Sequence, residues 1–248
     1  MQGFSFAEGS GGKGANQAVA AARLGQRVRL AAAVGADAAG DRLIEALRAE
    51  GVDVSAVQRV SQAPTGTALI VVDQAGENMI VVNPGANAAL SLAGVDLSAP
   101  DALLCQLEVP VSVVAEAARG AGGLFCLNAS PMTELPEPLL RRCDLVIVNE
   151  SEYKAADGQL DDCRLVAVTR GADGAVLLSA GSEVARSGSP KVAAVDTAGA
   201  GDAFAGALVT ALLRGSSPAA ALTRACRAGA VAATRPGAQA SLPYAREL

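Results

Sequence analysis

VDTAGAGDAFAGALVTALL, residues 195–213, runs from an extended end through Gly199, Ala200 and Gly201 straight into a helix with Phe204, Leu208 and Leu212 at i, i+4 and i+8. Small residues at that turn let backbone N–H groups converge. At a helix N-terminus such donors and the dipole form an anion site, suited to charge developing on a transferring phosphoryl group. Asp202, in the first turn, stands beside that anion. Asp is also a common helix cap, so capping is its other use. Against capping alone, Asp196 lies upstream in the same turn, and a carboxylate beside an anion hole costs repulsion that a plain cap does not require. A weakly basic Asp suits phosphoryl transfer, whose loose transition state asks for little beyond orienting a hydroxyl and accepting its proton late.

Outward from this turn, short apolar runs read as strands: VRLAAAV (28–34), ALLCQLE (102–108), LFCLNAS (124–130), DLVIVNE (144–150) and RLVAVTRG (164–171). Helical patterns lie between them at 37–51 and 109–123, each closing on glycine, and alanine-rich helices follow at 200–215 and 217–235. Strand and helix alternating in this way predict an α/β fold with a mostly parallel sheet covered on both faces. The stretch 65–87 differs, because two strand-like runs joined by DQAGEN predict a hairpin, of the sort that forms a lid.

With 248 residues, 51% of them hydrophobic, the chain is long enough for one large core. A formal charge of −5 and 2% aromatics argue against a nucleic-acid partner. Five scattered cysteines without a Cys-x-x-Cys pair suggest neither disulfides nor zinc and fit a reducing cytoplasm. No apolar run reaches membrane-spanning length, so a soluble cytoplasmic protein with no membrane partner is expected. The chain contains no histidine, which leaves acid-base chemistry to carboxylate, lysine, tyrosine or thiol.

A second glycine cluster, SGGKGANQAVAAARLG (10–25), has the glycines and lysine of a phosphate loop. It lacks both the Ser or Thr after the lysine and the spacing between glycines that a P-loop needs.

DTAGAGD before an apolar helix, together with GGKGANQA, resembles the ribokinase-like (PfkB) sugar kinases. GTALI (66–70), GEN (76–78), GANAALS (85–91), QLE (106–108), NESE (149–152) and TRPGAQ (234–239) narrow the resemblance toward the ribose-phosphorylating members. It implies a ribokinase-like three-layer α/β/α fold, one domain over 1–248, with a small β lid at about 1–9 and 65–83. It implies ATP-dependent phosphorylation of D-ribose, or a close sugar, at the primary hydroxyl. Asp202 resembles the family's base, and the amides of Gly199, Ala200 and Gly201 its anion hole. Gly12, Lys13, Gly14, Ala15 and Asn16, with Glu108, resemble the sugar clamp, where glycine permits close backbone approach.

The resemblance also assigns cofactors. Asn149 and Glu152 match the Asn-x-x-Glu that organises Mg²⁺ through water and the nucleotide phosphates; Thr169, Gly171 and Gly174 match the nucleotide loop, which Gly201 also faces. Cys226 stands where members usually have Asn or His near adenine. A K⁺ site is implied around Asp196, Ala198, Ala232, Arg235, Gly237 and Ser241. The family's first strand and part of its lid, with an Asn/Asp pair that grips the sugar, precede GGKGAN, so MQGFSFAEG reads as the end of that lid. The lid hairpin could pair two subunits into a homodimer. The rival expectations are a kinase for another sugar, sugar acid or nucleoside, and a shortened, catalytically inactive homologue.

Overall fold

Strands that are apolar at every position but the last must be covered on both faces, and LFCLN and LVIVN are of that kind. The computed structural model describes residues 7–72 and 78–248. In chain order it contains α1 (Lys13–Arg23), β1 (Ala32–Gly35), α2 (Ala38–Ala49), β2 (Val57–Val60), β3 (Thr67–Val72), β4 (Asn78–Asn83), β5 (Ala102–Gln106) and α3 (Val111–Gly120). There follow β6 (Leu124–Asn128), α4 (Glu137–Arg142), β7 (Leu145–Asn149), α5 (Glu150–Ala155), β8 (Val166–Thr169), β9 (Ala175–Ser179), β10 (Ser182–Ser187), α6 (Ala200–Leu213) and α7 (Pro218–Ala232).

The main sheet has the order β10-β9-β8-β7-β6-β5, with β5 to β8 parallel and β9 and β10 antiparallel. Alternate side chains of its strands serve two cores. Cys126, Leu145, Ile147, Ala167 and Leu177 pack with Val19, Leu208 and Leu222 of α1, α6 and α7 on one face. Phe125, Leu127, Val146, Val148 and Val168 pack with Val114 of α3 and Leu139 of α4 on the other. The result is the expected three-layer α/β/α arrangement with a mostly parallel central sheet.

Three elements depart from the sequence expectations. The run 28–34 shortens to β1, which pairs in parallel with β2 as a separate two-stranded sheet and not with the six strands. The β2 stretch, VQRV, has too few apolar residues to signal a strand. β9 and β10 form a hairpin that the sequence conceals, because Ala180 and Gly181 supply the two positive φ angles of its tight turn (46° and 70°) in place of the usual Asn-Gly or Asp-Gly.

The hairpin of 65–87 is present as β3 and β4, paired antiparallel from Thr67↔Asn83 to Val72↔Asn78. Residues 73–77, most of the DQAGEN turn, lie outside the described residues, as do residues 1–6 of the expected lid segment 1–9. Leu69, Ile70, Met79, Ile80, Val81 and Val82 are each more than half exposed. The root of the hairpin is fixed: Asp37, the N-cap of α2, accepts from the Thr65 hydroxyl and backbone N–H, which holds its carboxyl at about 2.

The contact that positions the site is between α1 and α6. Gly206, mid-helix in α6, lies so close to α1 that a Cβ would sit 2.7 Å from the Ala20 Cβ. An exposed mid-helix Gly→Ala change would stabilise by about 1 kcal/mol through helix propensity. Gly206→Ala is expected instead to destabilise by about 1–3 kcal/mol through overpacking. Adding Ala20→Gly should recover part of that loss in denaturant titrations.

Candidate active site

Gly199 is the N-cap of α6, with φ 78° in the left-handed region. It is glycine for two reasons, since a Cβ would also meet the Ala238 carbonyl oxygen at 2.6 Å. Ala200 and Gly201 open the helix and Asp202 follows, 7% exposed. Asp202 is not the cap. Its oxygens turn away from the helix's own backbone and accept from α1: Asn16 Nδ2 donates to Oδ2 at 2.8 Å and Gln17 Nε2 to Oδ1 at 2.8 Å.

α1 begins at the second glycine cluster. Gly12, its N-cap, has φ 89°, and the backbone N–H of Lys13 donates to Glu108 Oε2 at 2.8 Å. Gly14 lies against Gln106, where a Cβ would come 3.1 Å from Oε1. Gly12, Lys13, Gly14, Asn16, Glu108 and Asp202 are thereby brought together. Ala15 instead turns its methyl group into the core.

Sequence reasoning passed over the polar groups behind this clamp. Gln17 and Asn128 are buried and Gln106 half-buried. Gln17 Nε2 also donates to Asn128 Oδ1 at 2.9 Å, and Gln106 Nε2 donates to Gln17 Oε1 at 2.6 Å. The signal was there: an amide near the C-terminal end of two otherwise apolar strands, in ALLCQ and LFCLN, is unusual unless it has a partner. Burial pushes the Asp202 carboxyl above the usual carboxylate range, opposed by the Asn16 and Gln17 donors and by the Lys13 charge.

The loop before α6 is tied to the chain's end. Asp196 accepts from the N–H of Ala198 and of Gly237, both at 2.8 Å, and the buried Ser241 hydroxyl donates to Ala238 O at 3.0 Å and contacts Ala198 O at 3.5 Å. Carboxylate, carbonyl and hydroxyl oxygens of this kind are hard ligands that suit an alkali cation. Two expected members stand differently. The Arg235 guanidinium pairs with Glu247, and the Ala232 carbonyl accepts the Arg235 N–H at 3.2 Å.

At the carboxyl ends of β7 and β8, Asn149 and Glu152 form a reciprocal capping box on α5, each side chain accepting the other's backbone N–H at 2.8 Å. Asn149 is in register with Thr169. Gly171 has φ 54°, and Gly174, with φ 90°, faces Ser187 so closely that a Cβ would be 2.0 Å from its carbonyl oxygen. Cys226 is 4% exposed, with Sγ 3.8 Å from the same carbonyl, and burial pushes its thiol up. Among the described residues no three His, Cys, Asp or Glu side chains cluster as metal ligands. Among them, too, no helix is long and apolar enough to cross a membrane.

Comparison with known proteins points one way. The family model "pfkB family carbohydrate kinase" matches residues 1–245. A ribokinase from Haemophilus influenzae is 36% identical over 100% of this chain and 88% of its own length. The crystal structure of a Thermotoga maritima ribokinase superposes with a TM-score of 0.87 at 36% identity, covering 96% of this chain and 85% of that one. An Arabidopsis thaliana ribokinase complexed with ribose and ATP gives a TM-score of 0.86 at 29% identity, with 96% and 85% covered.

The two glycines at the α6 turn should respond oppositely to alanine. Gly199→Ala is expected to cost about 1–3 kcal/mol of stability from backbone strain alone, and more from the Ala238 clash. Gly201→Ala, with open space at its Cβ position, should change stability by less than about 0.5 kcal/mol in thermal unfolding.

Proposed function

The chain belongs to the pfkB family of carbohydrate kinases and is a sugar kinase, an ATP-using phosphotransferase; from that premise we propose that it phosphorylates D-ribose at the primary hydroxyl. The observation that carries this reading is the buried Asp202 carboxylate at the N-terminus of α6, held by two side chains of the GGKGANQ clamp. Resemblance to ribokinases over nearly the whole chain supports ribose as the sugar.

In this mechanism Gly12, Lys13, Gly14, Ala15, Asn16 and Glu108 hold the sugar, Ala15 through its backbone only. Asp202 orients the primary hydroxyl and accepts its proton as the oxygen attacks the terminal phosphorus of ATP. The phosphorus–oxygen bond to ADP breaks, and the amides of Gly199 and Gly201, joined by that of Ala200 once it leaves the Thr197 carbonyl to which it donates at 3.2 Å, receive the charge on the transferring group. Thr169, Gly171, Gly174 and Gly201 form the nucleotide side, with Cys226, set against the Ser187 carbonyl that Gly174 also faces, beside the adenine.

Mg²⁺, held through water by Asn149 and Glu152, would neutralise phosphate charge, and K⁺ among Asp196, Ala198, Gly237 and Ser241 would steady the α6 turn. Ala232 and Arg235 would contribute backbone carbonyls, since the Arg235 side chain is engaged by Glu247. We assign the whole chain to one domain, with the β3–β4 hairpin as lid and, through its exposed apolar faces, as the contact of a homodimer.

Asp202→Asn should lower kcat by about a hundredfold or more while calorimetry still detects ribose binding; near-normal turnover would overturn the mechanism. In an ADP-coupled assay over D-ribose, deoxyribose, fructose, 2-keto-3-deoxygluconate and nucleosides, D-ribose should give the highest kcat/KM, and K⁺ should raise it. Turnover should fall as pH drops through the Asp202 pKa, because only the ionised carboxylate accepts a proton, and that fall should begin above the range of an ordinary Asp.

A further inference from the structure

The amides behind Asp202 are not free to reverse. Backbone carbonyls only accept, so Leu104 O (3.2 Å) fixes which end of Gln106 is Nε2, and Ile147 O (3.0 Å) fixes which end of Asn128 is Nδ2. Gln17 is then fixed from both sides without reference to Asp202. Its Oε1 must face the Gln106 donor and its Nε2 must face the Asn128 acceptor. The second N–H of Gln17 therefore always points at Asp202 Oδ1.

Asn16 is different. Its Nδ2 donates to Asp202 Oδ2, but its Oδ1 is buried with no hydrogen-bond partner among the described residues, so the orientation of that amide is set by Asp202 alone.

We infer that Gln17, oriented by Gln106 and Asn128, is a positioning residue that keeps Oδ1 of Asp202 a permanent acceptor, so that the sugar's proton goes to Oδ2, where the Asn16 amide turns to accept it. This rests on the reading of Asp202 as the base. In the step, the hydroxyl O–H bond breaks, its electron pair stays with the oxygen that bonds to phosphorus, and the proton bonds to Oδ2. The ADP oxygen leaves with the pair of the broken phosphorus–oxygen bond. Before transfer the Asn16 Nδ2 serves the carboxylate; afterwards its Oδ1 serves the Oδ2 proton.

The charges facing Asp202 are few. α1 contributes Lys13, which favours the carboxylate. β5 carries no charged side chain, and Glu108 beyond it is engaged with the Lys13 N–H. α7 packs Gly229 against Ala200 and Phe204, leaves Arg227 exposed and Arg224 half-buried, and buries Cys226. The acid limb of the rate profile therefore reports on Asp202 and its amide donors.

The test is the pH profile of kcat/KM with D-ribose and ATP for wild type, Gln17→Met, Gln106→Met and Asp202→Asn. Gln17→Met removes a donor that favours the ionised base, so its acid limb should move up by about one pH unit, about a tenfold loss below the limb and little above it. Gln106→Met touches no oxygen of Asp202, yet should move the limb in the same direction by less, because it frees Gln17 to reverse. It also carries the test should Gln17→Met fail to fold. An inactive Asp202→Asn together with unmoved limbs, activity falling evenly at every pH, would overturn the inference while leaving the base in place. A fully active Asp202→Asn would overturn both.

Discussion

The structure depends on how closely α1 and α6 approach. Gly206 has no side chain to keep Ala20 away, so the α1 backbone comes to lie against α6, with Gln17 O near the Gly206 position as well. That approach lets two short amides, Asn16 and Gln17, reach Asp202 at 2.8 Å each from the other helix. A bulkier seam would leave Asp202 buried without donors, and a buried carboxylate in that state would take up a proton. The tension at the site follows from this: burial raises the affinity of Asp202 for a proton, while the amides and Lys13 hold the ionised form available.

Around this pair the remaining elements act as supports. Asp196 joins the turn before α6 to the segment around Gly237, so the glycine turn that opens α6 is braced from the chain's end and not only by its own helix. Gly199 must be glycine because Ala238 crosses it. At the carboxyl end of β7, the capping box of Asn149 and Glu152 shows one pair of residues stabilising α5 and also standing where an α/β fold binds its ligand.

How much of this was legible in the sequence varies by element. LFCLN, LVIVN and the helix beginning AGDAF could be recognised because near-continuous apolar runs and a small-residue turn before an apolar helix have few other solutions. The β9–β10 hairpin could not, since Ala180-Gly181 is a weak turn signal and SEVARS is largely solvated. β2 was hidden for a similar reason, as VQRV carries little apolar surface. At the site, Asp202, the clamp and the glycine turn could be read from local patterns. The orientation chain from Gln106 through Gln17 could not, because it exists only once residues 89 and 185 positions apart in the chain have met. NESE was read for its chemistry, although its capping pattern was equally visible.

The most direct measurement of the central claim is the identity of the product. Phosphorus NMR of wild-type protein with ATP, Mg²⁺, K⁺ and D-ribose should show a phosphate monoester whose splitting by two methylene protons places it on the primary hydroxyl, appearing as fast as ADP. Formation of ADP with inorganic phosphate alone, or of an ester on a secondary hydroxyl, would contradict the account.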